Sequence, residues 1–106
     1  MNPAEVTISD NQAESRYEAV VEGRMAVIEY ERQADRIAFI HTEVPPELEG
    51  HGLAAMMAKR ALDGARAAGL AVIPLCPYVA SYIRRHQEYL DLVPEPYHER
   101  VLRREP

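Results

Sequence analysis

From Ser15 on, apolar and polar positions alternate in a way that the preceding residues do not. Tyr17, Val20 and Val21 lead into the turn signal Glu22-Gly23, and Met25, Val27 and the stretch Ile28 to Tyr30 continue beyond it, which predicts a β-hairpin. Gln33 to Asp35 mark a second turn. Ile37, Phe39 and the run Ile40 to Val44 then predict a third strand, completing a three-stranded antiparallel meander. Pro45-Pro46 ends that strand, because proline has no N–H to give to a ladder and restricts the residue before it. Before Ser15, Val6 and Ile8 alternate only briefly and no element is expected.

Beyond the prolines the period changes. Leu53, Met56, Met57, Ala61, Leu62 and Ala65 recur at spacings of three and four, predicting an amphipathic helix from about Gly52 to Ala68 that Gly69 stops as a left-handed C-terminal cap. Leu70 to Leu75 is a short continuous apolar run and reads as a buried strand, with Pro74 marking a bulge or its end. Tyr78 to His86 is helical in pattern, with Val79, Tyr82 and Ile83 on one face. The remaining tail, with Pro94, Pro96 and Pro106, is expected to be mostly irregular. The order β-β-β-α-β-α predicts an α+β fold, helices packed on a mainly antiparallel sheet.

With 106 residues there is room for one domain spanning 1–106, its core at about 15–93 between irregular termini. The composition, 47% hydrophobic and 27% charged, is that of a globular chain. A net charge of −5 argues against binding nucleic acid or anionic lipid, both of which need a basic face. No apolar run approaches the roughly 20 residues that a membrane-spanning helix needs. The one cysteine, Cys76, has no internal disulfide partner, and no charged-then-apolar leader precedes the first strand-like segment, so a cytoplasmic location is expected.

Gly50 and Gly52 stand at the mouth of the long helix. A first helical turn presents N–H groups without internal partners and adds the positive end of the helix dipole, so such a mouth binds anions. Glycines there permit close approach and angles that turn several amides toward one point, which suits a phosphate or pyrophosphate. A plain turn between strand and helix would use the same residues. No Gly-Lys-Ser/Thr follows, which removes a P-loop, and the third glycine of a dinucleotide fingerprint is missing.

The run Glu49-Gly50-His51-Gly52-Leu53-Ala54 resembles the acetyl-CoA loop of the GCN5-related N-acetyltransferases, Q/R-x-x-G-x-G/A at the start of a helix. Gly52 and Ala54 match it; Glu49 departs from the usual Gln or Arg. Together, EVPPELEGHGLA and VIPLCPYVASYIRRH are similar to a very small single-domain subgroup of that family, and the likeness covers about Tyr17 to Val93. The resemblance implies the acetyltransferase fold, with acetyl-CoA or CoA as cofactor. Its pantetheine arm would lie along Thr42, Glu43 and Val44, splayed from the following strand, its pyrophosphate on Gly50, His51, Gly52, Leu53 and Ala54, and its thioester toward Cys76, Pro77, Tyr78 and Tyr82.

Acetyl transfer to an amine needs a deprotonated amine, donors for the oxyanion and an acid for the departing thiolate. A thiol is well matched to a thiolate leaving group. Cys76 and Tyr82 are the two candidates for that acid, the latter by likeness to the family's helix tyrosine, although the asparagine usual upstream is absent. Cys76 could instead carry the acetyl group covalently, or be a small buried apolar residue. His41 and Glu43 are the candidate bases. His51 is expected to serve the loop or the phosphates. Arg84, with Arg85 and His86, could meet the nucleotide phosphates or form a solvated face. No metal site is expected. The leading expectation is an acetyl-CoA-dependent N-acetyltransferase working by direct attack of an amine, from a small molecule or a protein lysine. A CoA or acetyl-CoA binding module with little or no transferase activity is the alternative, and an interaction domain that has lost the ligand a third.

Overall fold

A computed structural model describes residues 6–103. The sheet among them has five strands in the order β1 (Thr7–Asn11), β2 (Arg16–Val21), β3 (Arg24–Gln33), β4 (Arg36–Glu43) and β5 (Ala71–Pro74). The first four form an antiparallel meander, and β5 joins β4 in parallel through the crossover helix α1 (Leu53–Ala67). This is the expected α+β architecture, with one strand more than the three-stranded meander of the sequence reading. In β1, Ile8 and Asp10 lie opposite Ala19 and Tyr17 on the helix-covered face, and Asp10 accepts a 2.6 Å hydrogen bond from the Tyr30 hydroxyl. A carboxylate at an inward position conceals the alternation that would have announced the strand.

The side chains of Ala19, Ile28, Tyr30 and Phe39 form one buried cluster with Leu53, Met57, Ala61, Leu62 and Ala65 of α1. Thus the predicted helical stripe is the buried one, except that Ala58 is buried and Met56 only half so. The opposite face of the sheet exposes the cross-strand pair Val20 and Met25.

α2 (Pro77–Arg85) follows β5, with proline at its first position, where no N–H is needed. The tail is more ordered than its prolines suggested. It folds as 3-10 turns at Gln87–Leu92 and Glu95–Tyr97 and a short helix α3 (His98–Leu102), and Tyr89, Val93 and Val101 join the core. Arg66 fastens it to α1 by bonding both carboxylate oxygens of Asp91, at 2.8 and 2.9 Å, and the Glu88 carbonyl.

One irregularity in the sheet places the site. Phe39 pairs with Tyr30 but His41 pairs with Glu29, so Ile40 is an extra residue, a β-bulge in β4. Beyond it the side-chain alternation inverts. Thr42 pairs with the fully buried Ile28 and shares its face, while His41 and Glu43 are turned to the other. Among the described residues, no helix is long and apolar enough to cross a membrane.

Candidate active site

The ladder between β4 and β5 is short. It ends at the pair Phe39 and Pro74, where the proline offers no N–H, and a last hydrogen bond runs from the Cys76 amide to the Phe39 carbonyl at 2.7 Å. β4 runs on to Glu43 without β5, whose continuation turns into α2. The two flanks part there. Thr42 Oγ1 and Cys76 Sγ face each other across the opening, 3.1 Å apart, and the cysteine is buried.

Two residues further along each flank, Val44 and Tyr78 line a cleft of about 230 Å³. The rest of its wall comes from Leu48, Glu49, Gly50, Gly52, Leu53, Ala54 and Ala55, the glycine loop and first turn of α1. Leu48 and Ala55 were not among the sequence candidates. Leu48 could have been noticed as the single apolar residue of the 3-10 turn Pro46–Leu48. Ala55 could have been found by carrying the helix mouth one residue further.

Gly50 and Gly52 have φ of +82° and +77°, the left-handed region in which a side chain is strained. Gly52 is the N-terminal cap of α1, and no side chain caps the helix. Its first internal bond is from the Met56 amide to the Gly52 carbonyl, so the N–H groups of Leu53, Ala54 and Ala55 lack intrahelical acceptors. A Cβ built on either glycine would meet nothing within 4 Å, so space lies open above the loop. The bare amides, the dipole of a 15-residue helix and that space fit a phosphate group. The Glu49 carboxylate, at the rim, opposes one.

The family model described as GCN5-related N-acetyl-transferase matches residues 16–92. The chain belongs to this family. Among curated proteins none matches it. Acetyl-CoA-dependent acetyl transfer is the general activity that membership of these acetyltransferases supports, and acetyl-CoA the cofactor that the family uses. The match begins at β2 and ends before α3, leaving β1 and the end of the tail outside it.

Within the acetyltransferase domain the candidate residues divide into groups. Thr42, Val44, Gly50, Gly52, Leu53, Ala54, Cys76 and Tyr78 surround the opening and its cleft. His51 is exposed between the two glycines, and Pro77 is exposed at the start of α2. His41 Nε2 and Glu43 Oε2 lie 3.7 Å apart on the other face of β4, both exposed. Tyr82 is not in the cleft wall. It is buried one turn beyond Tyr78, its ring stacked on His86 with centroids 4.1 Å apart, and burial pushes its phenol up from the usual range. Arg84 lies elsewhere, donating to the Arg103 carbonyl at 2.9 Å and lining a second cavity. Burial pushes the Tyr78 phenol up, and the nearby positive charge of Arg85 counters that push. Among the described residues no three His, Cys, Asp or Glu side chains are grouped to hold a metal ion.

Proposed function

We propose that the protein is an acetyl-CoA-dependent N-acetyltransferase acting on an amine by direct attack. The observation that carries this reading is the cleft at the parting of β4 and β5, walled by the glycine loop together with Val44 and Tyr78, each two residues beyond the facing Thr42 and Cys76. Acetyl-CoA bound there supplies a thioester, from which the acetyl group passes to the amine as the C–N bond forms and the C–S bond breaks.

The chain's own residues have distinct tasks. The amides of Gly50 to Ala54 hold the pyrophosphate, and the β4 edge from Thr42 to Val44, lacking a strand partner on that side, offers backbone groups to the pantetheine amides. Cys76 gives its proton to the departing thiolate, an acid of matching strength, and Thr42 orients its sulfur. Glu43 and His41, on the far face, take the proton of the incoming amine, directly or through water. The acceptor is a small-molecule amine or a protein lysine.

Calorimetric titration with acetyl-CoA, for the parent and for Gly52→Val, tests the reading. Saturable binding that the folded variant loses supports the cofactor at the helix mouth; absence of binding by the parent overturns it. A subsequent screen of amines for CoA release separates the two functional classes. Binding without amine-dependent release would leave a CoA-binding module in place of an enzyme.

A further inference from the structure

A second cavity lies away from the cleft, between the outer side of α2 and the segment ending in α3, with a volume of about 420 Å³. Such a volume accommodates a small molecule. Arg84, Arg100 and Arg103 line it together with Ser81, Tyr97 and Glu99. This concentration of guanidinium groups occurs in a chain whose net charge is −5, so the overall charge does not produce it.

What the guanidinium groups bond decides the character of the cavity. Elsewhere, Arg16, Arg24, Lys59 and Arg66 are each paired with a carboxylate, while Arg60 stands by itself among the described residues and donates to the Ile8 carbonyl. In the cavity Arg84 donates to the Arg103 carbonyl, and Arg100 donates to the carbonyls of Pro74 and Leu75 at 3.0 and 2.9 Å. These acceptors are neutral, so both charges persist. Among the described residues only Arg103 meets a carboxylate there, that of Glu99. The lining therefore carries two uncompensated positive charges, held in place by backbone bonds that use only part of each fork. Two such guanidinium groups lining one cavity suit an oxyanion, and Tyr97 and Ser81, the latter donating to the Tyr78 carbonyl, belong to the same wall.

We propose that this cavity is an oxyanion-binding site for a small molecule bearing a carboxylate or phosphate group, separate from the acetyl-CoA cleft. The wall from Tyr97 to Arg103 lies outside the region that matches the acetyltransferase family, so the site belongs to this chain's tail more than to the shared domain. It stands independently of the transferase reading.

The test follows the arginine Nε–Hε resonances by NMR while inorganic phosphate, and separately succinate, is added to the full chain. Saturable shifts confined to Arg84, Arg100 and Arg103, with a dissociation constant on the order of millimolar and unchanged by saturating CoA, are expected. The stronger of the two anions identifies the preferred group. Arg84→Gln should weaken binding at least tenfold. Ser81→Glu, which places a carboxylate in the cavity and retains all three arginines, should do the same, guarding against a result that reflects loss of fold in the first variant. Uniform shifts of all arginines, or an affinity unaltered in the folded Ser81→Glu variant, would overturn the proposal. So would displacement by CoA, which would make the cavity part of the cofactor's own site.

Discussion

The Thr42 hydroxyl and the Cys76 thiol lie 3.1 Å apart on two flanks that share no strand pairing at that level. If the thiol protonates the departing thiolate, Cys76→Ala should reduce amine-dependent CoA release by about 10²-fold or more, with CoA affinity kept within about threefold. Thr42→Val should cost up to about tenfold in turnover, the scale of one neutral hydrogen bond, and Thr42→Ser should restore it. Steady-state assays beside calorimetry check this. Unchanged turnover in Cys76→Ala would exclude the role, and rapid acid quench should find no acetyl mass on the Cys76 peptide.

Glu49 lies at the rim of the cleft as a carboxylate where the family pattern has Gln or Arg. Replacing it by Gln removes repulsion toward a bound pyrophosphate, so Glu49→Gln should tighten acetyl-CoA binding by about three- to tenfold at low salt, the gain shrinking as ionic strength rises. Titrations at two salt concentrations measure it. Equal affinities at both would mean that the phosphates do not lie beside this residue.

Gly64 interrupts a helix interior, where alanine would ordinarily be better by about 1 kcal/mol. Here a Cβ would come within 2.6 Å of the Tyr17 hydroxyl, and that buried ring is held against Tyr30 with centroids 5.9 Å apart. Gly64→Ala should therefore destabilise, by about 1–2 kcal/mol. In a Tyr17→Phe background, which removes the obstructing oxygen, the same substitution should become neutral or stabilising. Urea unfolding of the four proteins decides.

Asp63 accepts hydrogen bonds from Lys59 at 2.8 Å and from the Tyr89 hydroxyl at 2.7 Å, and both hold its carboxyl below the usual range. The Tyr89 phenol is pushed up to about 12, by burial first and then by that bond. A carboxyl depressed in the folded state stabilises above its unfolded pKa, and that stability is lost as pH falls through the folded one. Asp63→Asn should lower the melting temperature by a few degrees at neutral pH, a small effect because the side chain is 45% exposed. The difference should close as pH falls below about 4. A constant difference from pH 7 to pH 2 would show that the charge is not responsible.

Where side-chain periodicity reports burial directly, the fold was legible in the sequence. α1, the buried strand and α2 fall within a residue or two of their observed bounds, and the hairpin is found with its second strand running on from Tyr30 to Gln33. β1 was missed because Asp10 occupies an inward position, and the end of the tail because its turns bury Val101 without any repeating pattern. Within the candidate site, Gly50 and Gly52 were readable because only a backbone constraint favours glycine there. The roles of the arginines were not. On a helix whose start is uncertain, Arg84 and Arg85 differ by about 100° in direction, enough to send one to the second cavity and the other to Tyr78.

The bulge at Ile40 acts as a frameshift for side chains. Strict alternation from Phe39 would put the His41 imidazole beneath the helices and the Thr42 hydroxyl outside. One added residue reverses both, so that β4 brings a hydroxyl to the thiol on one face and an imidazole beside a carboxylate on the other. Deleting Ile40 would alter no chemical group named in the site, yet would exchange its two faces.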